Sequence, residues 1–196
     1  MLALTDNEWN DCPNHQQALG YWHDEFDGFL EGNWPNHGFD VVSQSERIEN
    51  VYFVHKQTLF IYLNIVGGRV HDQIEWDTRL TANFVWTRNL IERHVINERE
   101  ANVVVIMAHA TNSPSNRKFF YPMRDYIRDE LRNTIPILYL NGDSHSWNYE
   151  PNYFGQPIWL RITLKGGTHE PPLKVMVDGS SSVSTVSEAF SYDRGL

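Results

Sequence analysis

The sequence predicts an α/β fold built around parallel strands, and three neighbouring stretches predict it. Pro136-Ile137-Leu138-Tyr139-Leu140 and Asn102-Val103-Val104-Val105-Ile106-Met107 are short, nearly unbroken apolar runs rich in β-branched residues. That is the pattern of strands covered on both faces. Between them, residues 116–133 carry Tyr121, Met123, Tyr126, Ile127 and Leu131 along one helical face, with Arg124, Arg128, Asp129, Glu130 and Arg132 along the other. Strand, helix and strand in this order form a βαβ unit, whose strands run parallel through a right-handed crossover. The ends of both strands, at Ala108–Thr111 and Asn141–Trp147, then open at the same edge of the sheet.

Leu2-Ala3-Leu4 is a very short strand running into Thr5-Asp6-Asn7-Glu8-Trp9. Residues 11–36 are rich in Trp, Asn, His, Asp and Gly, with a helix expected around His15–Leu30. Glu49–His55 and Leu59–Val66, separated by Lys56-Gln57-Thr58, read as a β-hairpin whose second strand lies centrally. Gly67-Gly68-Arg69 closes it. Residues 77–99 have helical spacing through Leu80, Phe84, Leu90, Ile91 and Val95, with Asp77 or Thr78 as cap and His94 on the surface near the end. Beyond Trp147, residues 148–156 read as loop and Pro157–Thr163 as a strand. A turn at Lys165-Gly166-Gly167 and a last strand, Leu173–Val177, complete a domain spanning 1–178. From Gly179 the chain turns to Ser, Thr and Gly, and 179–196 is expected to be a disordered, low-complexity tail.

Composition narrows the function classes. The chain of 196 residues is long enough for one domain with a sizeable core, and 41% hydrophobic residues argue against disorder. A formal charge of −9 without a basic stripe disfavours nucleic acid as a partner. The one cysteine, Cys12, excludes an internal disulfide and any multi-cysteine zinc site. No apolar stretch approaches the roughly 20 residues a membrane helix needs, and no signal peptide is visible at the start.

Both predicted parallel strands end at groups able to ligate metals. One delivers His109 and the other Asp143 and His145, with Gly142 beside them for a sharp turn. Ligands of open α/β sheets gather at such carboxyl ends, and carboxylate plus imidazole suits a divalent ion. The first strand runs into a third polar segment of the same kind, Asp6-Asn7-Glu8-Trp9. His15, His23 and His37 read as surface or hydrogen-bonded histidines; His71-Asp72 and His169-Glu170 lack the strand-then-loop setting.

Asp6-Asn7-Glu8-Trp9-Asn10-Asp11-Cys12, a single His after a strand, and Gly142-Asp143-Ser144-His145 resemble, in that order, the latter part of the calcineurin-like metallophosphoesterases, in their subgroup with a GDNEW motif. The resemblance runs from about Thr5 to Asp178 and implies an αββα sandwich of mixed sheets flanked by helices. It implies a dinuclear centre of divalent ions, with manganese, iron, zinc and magnesium not distinguished, acting on a small-molecule phosphoester. Carried over, Asn7, His109 and Asp143 serve one ion and His145 the other. Glu8 stands where the family has the histidine that protonates the leaving group, and Asp143 replaces a histidine ligand. In the family the 64–69 loop opens toward the active site, making Asn64 and Arg69 candidate substrate contacts. The family's Asp-x-His and Gly-Asp-x-x-Asp motifs have no counterpart here, so the resemblance implies a C-terminal portion whose N-terminal metal-binding part lies outside this chain. A catalytically inactive remnant or binding module that keeps the fold is the alternative expectation.

Overall fold

The computed structural model of the protein describes residues 4–33, 38–166 and 170–195. Expectations for Leu2-Ala3, His37, Gly167 and His169 lie outside them. The fold is α/β: a mixed seven-stranded sheet flanked by helices. In chain order come α1 (His15–Phe26), α2 (Phe29–Asn33), β1 (Val42–Gln44), β2 (Arg47–His55), β3 (Thr58–Leu63), α3 (Gln73–Ile91), β4 (Val103–Ala108), α4 (Arg117–Asp129), β5 (Ile137–Asn141), β6 (Asn148–Glu150), β7 (Trp159–Thr163), β8 (Lys174–Val177), α5 (Val186–Ala189) and β9 (Phe190–Asp193).

The sheet runs β1-β2-β3-β4-β5-β7-β6. Its four central strands, β3, β4, β5 and β7, are parallel, with β1 and β2 antiparallel at one side and β6 at the other. The expected βαβ unit forms as β4-α4-β5, and the expected hairpin as β2-β3, turned by Lys56 and Gln57 in left-handed backbone (φ 47° and 58°). Two left-handed residues give the turn the twist its strands require.

Alternation along the central strands divides the core in two. Leu59, Ile61, Leu63, Val104, Ile106, Ile137, Tyr139 and Trp159 face α1, α3 and α4, meeting Trp22, Trp76, Leu80, Phe119, Phe120 and Ile127. Val103, Val105, Leu138, Leu160 and Ile162 face the other way, against Val186, Ala189 and Phe190.

That second layer corrects the expectation of a disordered tail. Residues 174–193 form the β8-β9 ribbon and α5, which carries a reciprocal Thr185–Glu188 capping box. The serine-rich composition hid sparse apolar anchors and the Thr-x-x-Glu cap signal, which was legible. Gly179 seats the segment: its carbonyl accepts from Asn102 Nδ2 at 2.9 Å, and a Cβ there would collide with the Lys56 carbonyl oxygen and lie 2.9 Å from that of Gln57. Three further expectations change. Asp72, not Asp77 or Thr78, caps α3, its carboxylate accepting from the Ile74 and Glu75 amides. His94 is buried rather than on the surface, in a π-helical turn (Glu92–Asn97), with Nδ1 2.7 Å from Glu100 Oε2. Asn148–Glu150, read as loop, forms edge strand β6; three residues carry no apolar pattern, and pairing with β7 plus the Glu150–Arg161 ion pair (2.8 Å) hold them.

Gly179→Ala should therefore cost about 1–3 kcal/mol, as overpacking against backbone does, read as a lower denaturant midpoint. An unchanged midpoint would mean that the segment after β8 is not seated on the β2-β3 turn.

Candidate metal centre

The centre forms where three segments meet at the carboxyl ends of the parallel strands. Tyr139 and Leu140 of β5 pair with Ile106 and Met107 of β4, and past the strand ends the Gly142 amide donates to the His109 carbonyl at 2.9 Å. This pairing brings Asp143 beside His109. The loop carrying Asp143 is tightly wound, with Asp143 at φ 68° and His145 at φ 51°. Strained non-glycine residues of this kind cluster at functional sites. The third member is Asp6. One oxygen or ring nitrogen from each of Asp6, His109 and Asp143 lies within 4.8 Å of the others, and His109 Nδ1 is 3.0 Å from Asp6 Oδ1.

Asp6 is held by a turn docked at many points. Its carbonyl accepts from the amides of Trp9 (3.2 Å) and Asp11 (2.9 Å). Just upstream, the Tyr62 hydroxyl donates to the Leu4 carbonyl at 2.9 Å; burial pushes this phenol well above its ordinary pKa, so the donor stays protonated. Asn10 Nδ2 donates to the carbonyls of Gly67 (3.0 Å) and Arg69 (3.1 Å), and the Asn10 carbonyl lies 2.8 Å from His71 Nε2, which must carry the proton. Trp9 is buried, with the Arg79 guanidinium 5.2 Å from its ring centroid.

The 67–69 segment forms the wall beside Asp143 and Asp11. A Cβ on Gly67 would collide with Asp143 Oδ2, and one on Gly68 (φ 80°) would lie 2.8 Å from Asp11 Oδ1. Only glycines let this backbone approach the carboxylates. Asp6 is 5% exposed. Burial raises its pKa, the nearby Asp143 and Asp11 carboxylates raise it further, and His109 counters them. Three carboxylates converge here with one imidazole to balance them, which is the electrostatic setting that a cation relieves.

The expected ligands divide. His109 and Asp143 come together. His145 is exposed and stands outside the three-residue group. Asn7 is exposed, and its carbonyl faces Cys12 Sγ at 3.8 Å. The buried neighbour Asp6 holds the inward position, so the carboxylate that faces His109 comes from Asp6 and not from the expected ligand Asn7. Glu8 folds back onto Thr5, its carboxylate accepting from the Thr5 amide at 2.9 Å and from the Thr5 hydroxyl, two bonds from one residue that staple the turn. Asn64 is fully buried, its amide donating to Asn50 Oδ1 (2.7 Å) and its Nδ2 to Glu49 Oε1 (3.2 Å), which removes it as a substrate contact. Arg69 is exposed on the glycine loop, its guanidinium without an ion pair among the described residues. His15 stacks on His71 (centroids 4.0 Å apart) and His23 Nε2 lies 3.4 Å from Glu49 Oε2, the bland roles expected of them.

A second group able to hold an ion, His94, Glu98 and Glu100, precedes β4 and so lies at the opposite end of the sheet. Its histidine Nδ1 already lies 2.7 Å from Glu100 Oε2 and 3.4 Å from Glu98 Oε2, and both glutamates are exposed. Among the described residues no helix is long and apolar enough to cross a membrane. No protein-family model, curated protein or solved structure matches the chain.

Two outcomes follow from this geometry. A carboxyl whose native pKa is raised contributes stability that is fully present below its unfolded pKa and is lost as pH rises through the native value. Without metal, thermal stability should therefore fall from the acid side toward neutrality more steeply in the native sequence than in Asp6→Asn, and Mn²⁺ should reverse this in the native sequence alone. Parallel pH slopes in calorimetric melts would contradict the burial of Asp6. Gly67→Ala should leave the metal-free melting temperature nearly unchanged, since the Asp143 side chain can swing aside, yet weaken Mn²⁺ binding about tenfold or more. Calorimetric titration of Mn²⁺ measures it, and unaltered affinity would remove Asp143 from the centre.

Proposed function

We propose that this chain carries the ion-binding part of a metal-dependent phosphoesterase related to the calcineurin-like enzymes, with a small-molecule phosphoester as substrate. The observation that carries the reading is the meeting of Asp6, His109 and Asp143 at the carboxyl edge of the parallel strands. The donor set fits the group it would hold. Two carboxylates and one imidazole supply the anionic and borderline ligands that manganese, iron, zinc or magnesium accept, and the convergence of Asp11 on Asp6 and Asp143 leaves negative charge to neutralise. A divalent ion bound there would neutralise phosphoryl oxygens and supply a water acidic enough to react near neutral pH.

The chain's own residues prepare that chemistry. Asp6 and Asp143 hold charge in place, fixed by the motif turn and the glycine wall. Burial raises the Asp6 pKa, and the carboxyl must be ionised before it can ligate, so binding releases protons and weakens as pH falls. Arg69, exposed on the glycine loop and without an ion pair among the described residues, meets the anionic substrate. Glu8 serves by holding the turn on which Asp6 sits. Three ligand atoms suffice for one ion. The dinuclear centre of the resembling family, and the αββα sandwich around it, would be completed by residues outside this chain.

The test is metal content together with hydrolysis of bis-p-nitrophenyl phosphate, before and after adding Mn²⁺, in the native sequence and in Asp6→Ala, Asp143→Ala and His145→Ala. The expected result is about one ion per chain, lost in the first two variants by more than the ~10–100-fold cost of losing an outer-shell partner, and retained in His145→Ala. Turnover abolished in the same two variants supports the hydrolase. Bound metal without turnover assigns the alternative, a binding module that keeps the fold, and absence of metal at millimolar Mn²⁺ overturns both.

A further inference from the structure

Beside the centre, on the sheet face opposite α3 and α4, lies an open groove of about 370 Å³. Its floor is a row set by strand register. Tyr62 of β3 pairs with Met107 of β4, and Met107 with Leu140 of β5, so three side chains stand abreast on one face. Leu164 and Thr5 line its sides, and His109 lines it too. The ribbon and α5 cover this face farther back along the strands, over Val103, Val105 and Leu138, leaving Met107 and Leu140 half-buried at the carboxyl end. Its remaining lining is Ala108, Asn141 and Gly142, so the His109 imidazole and the buried Tyr62 hydroxyl are the ionisable groups among its lining residues. A sugar, a nucleotide base or a second phosphate would find few hydrogen-bonding partners there, whereas hydrocarbon would leave water for carbon.

We propose that the site takes phosphomonoesters of apolar alcohols, with the hydrocarbon group lying in the groove of Tyr62, Met107, Leu140 and Leu164 while the phosphoryl group sits at Asp6, His109 and Asp143. The inference rests on the phosphoesterase reading. Hydrolysis of such an ester consumes one water, breaks one P–O bond and releases the alcohol and inorganic phosphate. Continuity with the centre commits the groove to this occupant, because His109 belongs to both. Selectivity comes from chain length: each methylene moved from water into the groove tightens binding about two- to fourfold, the full transfer value being the upper limit for a groove open on one side.

The experiment is calorimetric titration of the full chain, with and without Mn²⁺, using inorganic phosphate, methyl phosphate, butyl phosphate and hexyl phosphate. It is repeated on Leu140→Asn, Met107→Gln and the loop variant Leu164→Asn, whose folding is checked by circular dichroism; Leu164→Asn retains a test should the strand variants unfold. Affinity is expected to climb with chain length in the native sequence and to flatten in the variants, with inorganic phosphate binding unchanged. A flat series in the native sequence, with phosphate binding and bis-p-nitrophenyl phosphate turnover intact, overturns the groove and leaves the phosphoesterase standing. A climbing series with no inorganic phosphate released from hexyl phosphate and no turnover of bis-p-nitrophenyl phosphate sustains the groove as a hydrocarbon site and removes the hydrolase. Light scattering that shows a dimer, made monomeric by Leu140→Asn and insensitive to chain length, assigns the groove to a second copy and overturns the proposal.

Discussion

The centre depends on a buried cation far from water. Arg79 of α3 is 1% exposed, and its guanidinium lies between two indoles, 4.6 Å from the Trp76 centroid and 5.2 Å from that of Trp9. It donates to the Asn64 carbonyl at 3.2 Å and grips Glu75 through two nitrogens, at 2.8 and 3.2 Å. An unpaired buried charge costs several kcal/mol, so each partner is obligatory. Through them one side chain fixes the helix, the end of β3 and the turn that carries Asp6. The Asn64 carbonyl also accepts from Asn83 Nδ2 at 3.0 Å, and Asn83 Oδ1 from Asn50 Nδ2 at 2.8 Å. This polar network locks the chain just before the glycine wall, which in turn sets the place of Asp143.

Rigidity at the rear permits strain at the front. Asp143 and His145 occupy left-handed backbone, and three carboxylates crowd around one imidazole, all of which disfavours the folded state in the absence of a cation. The deep apolar layers on both faces of the central strands supply the compensation, with Leu59, Ile61, Val104, Ile106, Ile137 and Tyr139 almost wholly removed from water.

The parallel core was legible because periodicity speaks directly about burial. Val103–Met107 and Pro136–Leu140 could only be interior strands, and the amphipathic stretch between them could only cross over one face. His109 and Asp143 followed from that topology. The rest turned on facts that one-dimensional spacing does not hold. Asp6 and Asn7 are adjacent, and which of them points inward is decided by hydrogen bonds from Trp9, Asp11 and Tyr62, two of them from within the turn and one from another strand. Asp143 and His145 sit in a loop with left-handed backbone at non-glycine positions, which no composition rule anticipates, and of the two Asp143 joins the centre. The ribbon of β8 and β9 was masked by serines, although its capping signal lay in plain view.

The two ends of the large sheet are finished alike. β1 and β6 are three residues each and antiparallel to their neighbours, and the pairing of β1 slips register between Ser43 and Gln44. A long, flat margin of unpaired amides invites another chain to extend the sheet and begin a fibril. Margins this short, one of them irregular, offer no template for such growth, so a protein with strongly apolar central strands is guarded against aggregation where its sheet is most open to it.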